Sequence, residues 1–350
     1  MSSAAEPTEP AAPIDPTAPA DPTAPLSPRS TLALPALGYG AANIGNLHRA
    51  LTDEQAHEVL EAAWEAGIRY FDTAPHYGLG WSERRLGDFL RTRPRAEYVV
   101  STKAGRLLVP DPDGADRLDL DHDFHVPAAS RRQWDFSADG VRRSLEESLE
   151  RMGLDRVDLL YLHDPERHDL DRDLETGTAA LATLKDEGLI GASGLGSMST
   201  AALERGARGG GLDVLMVAGR LTLAEQPALA AVVPECSRTG TAIVTASVFN
   251  SGILASDDPG ADARYEYGAV PPELLARVRR IAAICREFGV PLPAAALQYT
   301  RRVGPVVSVV AGSSRPEQIR QNAEWMALAI PEELWGALAE QRLVPGPAVP

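Results

Sequence analysis

The sequence predicts an α/β protein built on a parallel sheet, and three observations point there. Eight short apolar runs recur along the chain, each is followed by an amphipathic stretch with a recognisable helix start, and the runs are apolar on both faces. Parallel strands covered by helices need that pattern, and right-handed crossovers join them. Closed on itself, such a sheet is a (β/α)₈ barrel of the TIM type; left open, it is doubly wound. The doubly wound form calls for a G-x-G-x-x-G turn after a strand. Gly38-Tyr39-Gly40 and Gly191, Gly194 and Gly196 have glycines at other offsets, which favours the barrel.

Taken in order, the strands are expected around 36–38, 68–72, 98–102, 157–162, 190–193, 214–217, 242–245 and 306–310. Thr52 and Gln55 form a T-x-x-Q capping box ahead of a helix from Asp53 to Glu65. Ser82 is expected to cap a helix over 83–90, and Ser137 a longer one over 138–151. Pro271 and Pro272 open a helix over 273–288 that Gly289 stops, and Pro316 lies in the first turn of another reaching about Leu328. The stretch 106–136 shows neither period, and its length reads as a lid or substrate loop.

Composition narrows the partners. A net charge of −15 opposes binding to nucleic acid or anionic membranes. No stretch approaches the ~20 apolar residues of a membrane span. Cys236 and Cys285 are the two cysteines, too few for a disulfide framework or a zinc site, so a reducing cytoplasm is expected. The N-terminus lacks the basic and apolar regions of a secretory signal. Prolines at 7, 10, 13, 16, 19, 22, 25 and 28 keep a strict period of three, matching the polyproline II turn. That segment reads as a solvated spacer, with a proline-recognising partner as the alternative. Domains are therefore expected as a tail over 1–30, the barrel over 31–340 and a short tail over 341–350.

Active sites of such barrels stand at the C-terminal ends of the strands. There the second strand ends at Asp72 and leads to Tyr77, the third at Lys103 and the fourth at His163. An acid, a phenol, an ammonium and an imidazole suit proton transfer coupled to hydride movement at a carbonyl or alcohol carbon. A free phenol has a pKa of about 10, and a nearby ammonium favours its ionised form. Lys103 is accordingly expected to lower the pKa of Tyr77 and make it the acid/base, with Asp72 anchoring the lysine and a neutral His163 orienting the substrate oxygen.

The blocks Phe71–Gly78 (FDTAPHYG), Ser101-Thr102-Lys103 and Leu160–His163 (LYLH) resemble the signatures of the aldo-keto reductases across roughly 34–338. TAPHYGLGWSERRLG over 73–87, KAGRLL over 103–108, His163-Asp164-Pro165, Ala218-Gly219-Arg220 and VFNSGIL over 248–254 look like the branch of L-fucose, galactose and D-threo-aldose 1-dehydrogenases, with pyridoxal 4-dehydrogenase similar. The resemblance implies a (β/α)₈ barrel, a nicotinamide cofactor held without a Rossmann fold, and Asp72, Tyr77, Lys103 and His163 as the catalytic tetrad. It implies oxidation of the hydroxyl of a cyclic hemiacetal to a lactone, with an aldehyde or pyridoxal-type carbonyl as the alternative substrate.

By the same resemblance the cofactor lies against Gly40, Ala41, Asp72 and Ser193, the loop of Ser247, Phe249, Asn250, Ser251 and Gly252, and the turn of Gly312, Ser313, Ser314 and Arg315, with Gln318 and Asn322. The helix start after that turn suits a phosphate. Gly312 and Gln318 stand where NADP-preferring relatives carry basic residues, so NAD is expected over NADP, with Arg315 in partial compensation. No Asn follows the fifth strand, and Ser193 or Ser197 is expected in its place. Tyr77, His163, Trp81 and Trp134 are the expected substrate contacts. Two readings compete: a nicotinamide-binding regulatory barrel without chemistry, and a metal hydrolase using His76, His122, His125, His163 and His168. The second lacks rigidly held ligands, so no metal is expected.

Overall fold

A computed structural model describes residues 25–260, 264–266 and 268–345; most of the period-three proline segment lies outside them. In chain order the strands are β1 (Leu37–Gly40), β2 (Tyr70–Asp72), β3 (Val99–Ala104), β4 (Arg106–Pro110), β5 (Ser130–Trp134), β6 (Val157–His163), β7 (Ile190–Ser197), β8 (Val214–Ala218), β9 (Ala242–Ala246), β10 (Arg264–Tyr265), β11 (Gly268–Ala269) and β12 (Val306–Ala311). The helices are α1 (Asp53–Glu65), α2 (Trp81–Leu90), α3 (Ala138–Met152), α4 (Leu170–Asp186), α5 (Thr200–Gly209), α6 (Ala228–Thr239), α7 (Pro272–Glu287), α8 (Leu292–Tyr299), α9 (Pro316–Ala327) and α10 (Glu332–Glu340).

Eight parallel strands close in the order β1-β12-β9-β8-β7-β6-β3-β2, a (β/α)₈ barrel. All eight barrel strands expected from the sequence are present. Several run further at their C-terminal ends, most of all β7, which continues from Ile190 through Ser197. Gly194 and Gly196 look like breakers in sequence. At Gly194 the reason is contact: a Cβ would stand 2.5 Å from the Tyr161 ring and 2.8 Å from the Val214 carbonyl.

The helix starts follow their local chemistry. Gln55 N–H donates to Thr52 Oγ1 at 3.2 Å and Thr52 N–H to Gln55 Oε1 at 3.0 Å, which completes the capping box. Ser137 Oγ accepts from Gly140 N–H at 3.1 Å. The expected cap by Ser82 is corrected. Helix α2 begins two residues earlier behind Gly80, and the buried Ser82 hydroxyl instead donates to the Ala41 carbonyl at 2.8 Å and pairs with Thr73 Oγ1 at 2.8 Å.

The stretch 106–136 is not irregular. Strands β4 and β5 form an antiparallel ribbon with Arg106 opposite Trp134 and Pro110 opposite Ser130. The sequence Ser-Arg-Arg-Gln-Trp hides it, because a ribbon lying over a polar rim has no apolar alternation to detect.

At the other end the chain closes the barrel base. Leu26 is buried, and Ser27 Oγ donates to Asp213 Oδ1 at 2.6 Å. Arg29 donates to the Leu212 and Thr239 carbonyls just ahead of β8 and β9. The packed unit therefore starts before residue 31. It also extends past 340, since Leu343 and Val344 are buried beneath α7, where Arg277 donates to the Leu343 carbonyl at 2.5 Å. Among the described residues no helix is long and apolar enough to cross a membrane.

Candidate active site

Strands β2, β3 and β6 bring the four expected catalytic residues to one rim. Asp72, the last residue of β2, accepts from Ser101 Oγ at 2.7 Å and from Lys103 Nζ at 2.6 Å. Lys103 Nζ also donates to the Thr73 carbonyl at 2.9 Å, and both ionic side chains are buried. Lys103 Nζ stands 4.7 Å from the centre of the Tyr77 ring. The His163 ring lies 5.9 Å from that of Tyr77, edge on.

Burial works against the Lys103 ammonium, but Asp72 and Tyr77 outweigh it and hold the pKa above its ordinary value. For Tyr77 the expectation is corrected. Burial pushes the phenol up, Lys103 pulls it down, Asp72 pushes it up again, and the net result is a pKa above 10. Lys103 does pull the phenol down, but burial outweighs it and Asp72 adds to the burial. His163 behaves as expected: burial first, then Arg106, Lys103, His76 and Arg167 push it well below 6.5, so it is neutral. Its Nδ1 is buried without a partner among the described residues.

The expected cofactor residues form two groups. Gly40 and Ala41, at the end of β1, face Gly312 after β12, where an added Cβ would stand 2.7 Å from the Gly40 carbonyl and 2.8 Å from Asn43 Oδ1. Beyond it, Ser313 Oγ donates to Gln318 Oε1 at 2.5 Å and accepts from Arg315 N–H at 3.1 Å, ahead of α9. Tyr39 donates to the Ser313 carbonyl at 3.0 Å and Arg49 to that of Ser314 at 3.0 Å. Arg315 and Gln318 are exposed, and Asn322 is buried one turn along α9.

After β9, the residues Ser247, Asn250, Ser251 and Gly252 all take positive φ (55°, 45°, 59° and 104°). Ser247, Ser251 and Gly252 are exposed, Phe249 is half-buried, and Asn250 is buried with its Oδ1 unpartnered. The β10–β11 ribbon braces this loop, with Glu266 N–H donating to Ser251 Oγ at 3.2 Å and the Glu266 carboxylate paired with Arg220.

Ser193 does not belong to the rim, and this expectation is corrected. It sits opposite Leu160, three residues below the His163–Gly196 level, and bonds Asp213 through both N–H (2.9 Å) and Oγ (3.2 Å). Ser197 holds the rim position on β7, where it donates to Glu166 Oε1 at 2.5 Å. The wrong residue was favoured because β7 was expected to end at 193.

Trp134 lies beneath the Arg106 guanidinium at 4.6 Å and stacks on His168, on the wall of a cavity of about 290 Å³ shared with His122, Arg132 and Arg167. Trp81 is placed otherwise. The Arg85 guanidinium covers its ring at 4.9 Å, it lines a groove of about 730 Å³ between α1 and α2 with Asp53 and His57, and it packs on the Leu79, Phe124 and Val126 cluster that Tyr77 also joins. Sequence reasoning missed Arg106, which is buried and paired with Asp164, and Arg132, which bonds His76 and Asp119. A signal existed for the first pair: Arg106 and Asp164 follow Lys103 and His163 by three residues and one. Among the described residues no three His, Cys, Asp or Glu side chains converge as a metal site.

Comparison with known proteins bears on this rim. The aldo/keto reductase family profile matches residues 36–342. A D-threo-aldose 1-dehydrogenase from a Pseudomonas species is 61% identical over 317 residues, 90% of this chain and 96% of that protein. Pyridoxal 4-dehydrogenase from Microbacterium luteolum is 38% identical, covering 90% and 96%. Among solved structures, an aldo-keto reductase from Bacillus halodurans in its holo form superposes with a TM-score of 0.69 at 23% identity, covering 93% of this chain and 96% of that one, a likeness of fold. With the barrel, the four-residue rim and the match along 36–342 in agreement, the chain belongs to the aldo/keto reductase family and is an oxidoreductase.

Proposed function

We propose that this enzyme oxidises the anomeric hydroxyl of an aldose of the D-threo kind to the lactone, using NAD in preference to NADP. The observation that carries the reading is the convergence of Asp72, Lys103, Tyr77 and His163 at the mouth of the barrel, supported by the 61% identity to a protein named for that activity.

The chain's own residues supply the proton chemistry. Tyr77 Oη, once deprotonated, takes the hydroxyl proton of the sugar as hydride leaves the carbon; in the reverse direction the neutral phenol gives its proton to the carbonyl oxygen. The ammonium of Lys103, kept charged by Asp72, stabilises the phenolate as it forms. His163 is neutral, and its Nε2 is the nitrogen left to donate to the reacting oxygen, since Nδ1 is enclosed. A nicotinamide dinucleotide, when bound, supplies the two-electron acceptor.

The residues present fit that group. Gly312 lets the turn after β12 lie against the Gly40 carbonyl, where a Cβ would stand 2.7 Å away, the turn opens onto the N-terminus of α9, and Asn250 Oδ1 is buried and unpartnered. Gly312, Ser313, Ser314, Arg315 and Gln318 would hold the adenosine end, and the 247–252 loop the pyrophosphate. Only Arg315 in that first set is charged, which supports NAD. Cys236 and Cys285 are free and buried, with burial pushing both thiols up to about 12, in keeping with a cytoplasmic enzyme.

The test is an NAD(P)⁺ reduction screen over L-fucose, D-arabinose, L-galactose, L-xylose, pyridoxal and simple aldehydes. Turnover of the sugars with NAD⁺ is expected. Turnover of pyridoxal alone would favour the activity named for the 38% relative, and tighter binding of NADP(H) than NAD(H) would overturn the cofactor choice. Cofactor binding with no turnover of any compound would leave a regulatory barrel.

A further inference from the structure

Arg132 Nε donates to His76 Nδ1 at 2.5 Å, and its Nη2 donates to the carbonyl of the same histidine at 2.9 Å. The guanidinium is itself fixed. Asp119 accepts two bonds from it, at 2.8 and 2.5 Å, and His122 Nδ1 lies 3.1 Å from Nη1. Asp119 is buried, and both it and Arg132 come from the excursion between β3 and α3, whereas His76 stands in the turn between β2 and α2. The ribbon thus reaches across the rim to hold one imidazole.

A guanidinium donates and never accepts, and it keeps its protons at any working pH. The nitrogen it faces must therefore present a lone pair, so the proton of His76 sits on Nε2. Burial first, then Arg106, Arg132, His122 and Arg167, push His76 well below 6.5, which keeps this one neutral form. Among the described residues no protein group bonds Nε2. The His76 ring lies 6.0 Å from that of Tyr77 and 5.6 Å from that of His163, the two rings that flank the reacting oxygen.

We infer that His76 is a specificity-determining residue whose Nε2–H binds the substrate hydroxyl on the carbon next to the reacting one, and that Arg132 is the positioning residue that fixes its tautomer. A lactol with an adjacent hydroxyl places a second oxygen one carbon–carbon bond from the reaction, within reach of a ring neighbouring both catalytic rings. The inference rests on the sugar-oxidising reading above.

The experiment compares kcat/KM with NAD⁺ for a D-threo aldose and its 2-deoxy congener, in wild type and in H76F, H76Q, R132M and R132K. Wild type is expected to favour the hydroxylated sugar. H76F keeps a ring but no donor, and should lose roughly 10–100-fold more on the hydroxylated sugar than on the deoxy one. H76Q, with an amide N–H at similar reach, should restore part of the preference. R132K still donates into Nδ1 and should retain most of it, whereas R132M frees the tautomer and should lose it. Equal losses on both sugars in H76F overturn the inference, as does an unchanged ratio in R132M. Thermal melting and NADH fluorescence titration identify any variant that has lost its fold, in which case H76F and H76Q decide. Absence of sugar turnover in wild type overturns the proposed reaction; sugar turnover with a ratio indifferent to H76F overturns this inference alone.

Discussion

Lys103 Nζ stands 2.6 Å from Asp72 Oδ2 and 4.7 Å from the centre of the Tyr77 ring, so one buried ammonium serves a carboxylate and a phenol at once. The carboxylate holds the larger share. Burial keeps the phenol protonated in the free enzyme, so it is ready to donate in reduction and must first lose its proton to act as base in oxidation.

Replacing Tyr77 by Phe removes that proton while keeping the ring against Phe124 and His163. Turnover should fall by at least about 10²–10⁴-fold, the usual worth of a positioned acid/base. Cofactor affinity, followed by fluorescence titration, should stay near that of wild type.

The pH dependence follows from two opposite shifts. Tyr77 is raised above 10 and His163 lies well below 6.5. For oxidation, kcat/KM reports the free enzyme, so it should climb with pH toward and beyond about 10. No loss attributable to His163 should appear as pH is lowered to about 6. An acid limb centred near the ordinary histidine value, and absent from H163F, would contradict the burial argument.

Gly312→Val tests the backbone approach to the adenosine end. Its Cβ would meet the Gly40 carbonyl at 2.7 Å and Asn43 Oδ1 at 2.8 Å, a clash with one rigid atom and one side chain. A loss of about 1–3 kcal/mol is expected in chemical denaturation. NAD affinity should weaken along with it.

Asp213 ties the N-terminal segment to the base, accepting from Ser27 Oγ at 2.6 Å, Lys185 Nζ at 2.6 Å and Ser193 N–H at 2.9 Å. Burial pushes its pKa up, but those donors hold it below the ordinary value. A carboxylate lowered in the folded state adds stability above about pH 3.9 and loses it as pH falls through the lower folded value. Asp213→Asn should cost about 2 kcal/mol at pH 7, less than a fully buried pair because Lys185 is partly exposed. The gap to wild type should narrow in acid melts.

The barrel was legible because parallel strands buried on both faces leave uninterrupted apolar runs, as in Val157–His163. The meeting of Asp72, Lys103 and His163 at one rim was legible because they lie at or near the ends of such runs, with Tyr77 in the turn that follows β2. What escaped had no apolar pattern behind it. The Arg-rich β5 pairs with β4 over a polar rim, the glycines of β7 conceal four further strand residues, and Ser193 was mistaken for a rim residue as a result. Ionisation was misjudged for a different reason: a motif lists Lys103 beside Tyr77 but not how deeply the phenol is buried, and burial is the larger effect.

The chain enters the barrel through Leu26 and Ser27 at the base, at the opposite end from Tyr77 and His163. A carrier protein, dye or solid support joined directly at residue 25, in place of the preceding segment, would be attached at the base and leave the mouth facing outward. Immobilised in that orientation, the enzyme should work as a surface-bound sugar electrode or packed-bed catalyst with little loss of access, whereas attachment through the Arg106–Trp134 ribbon would stopper it.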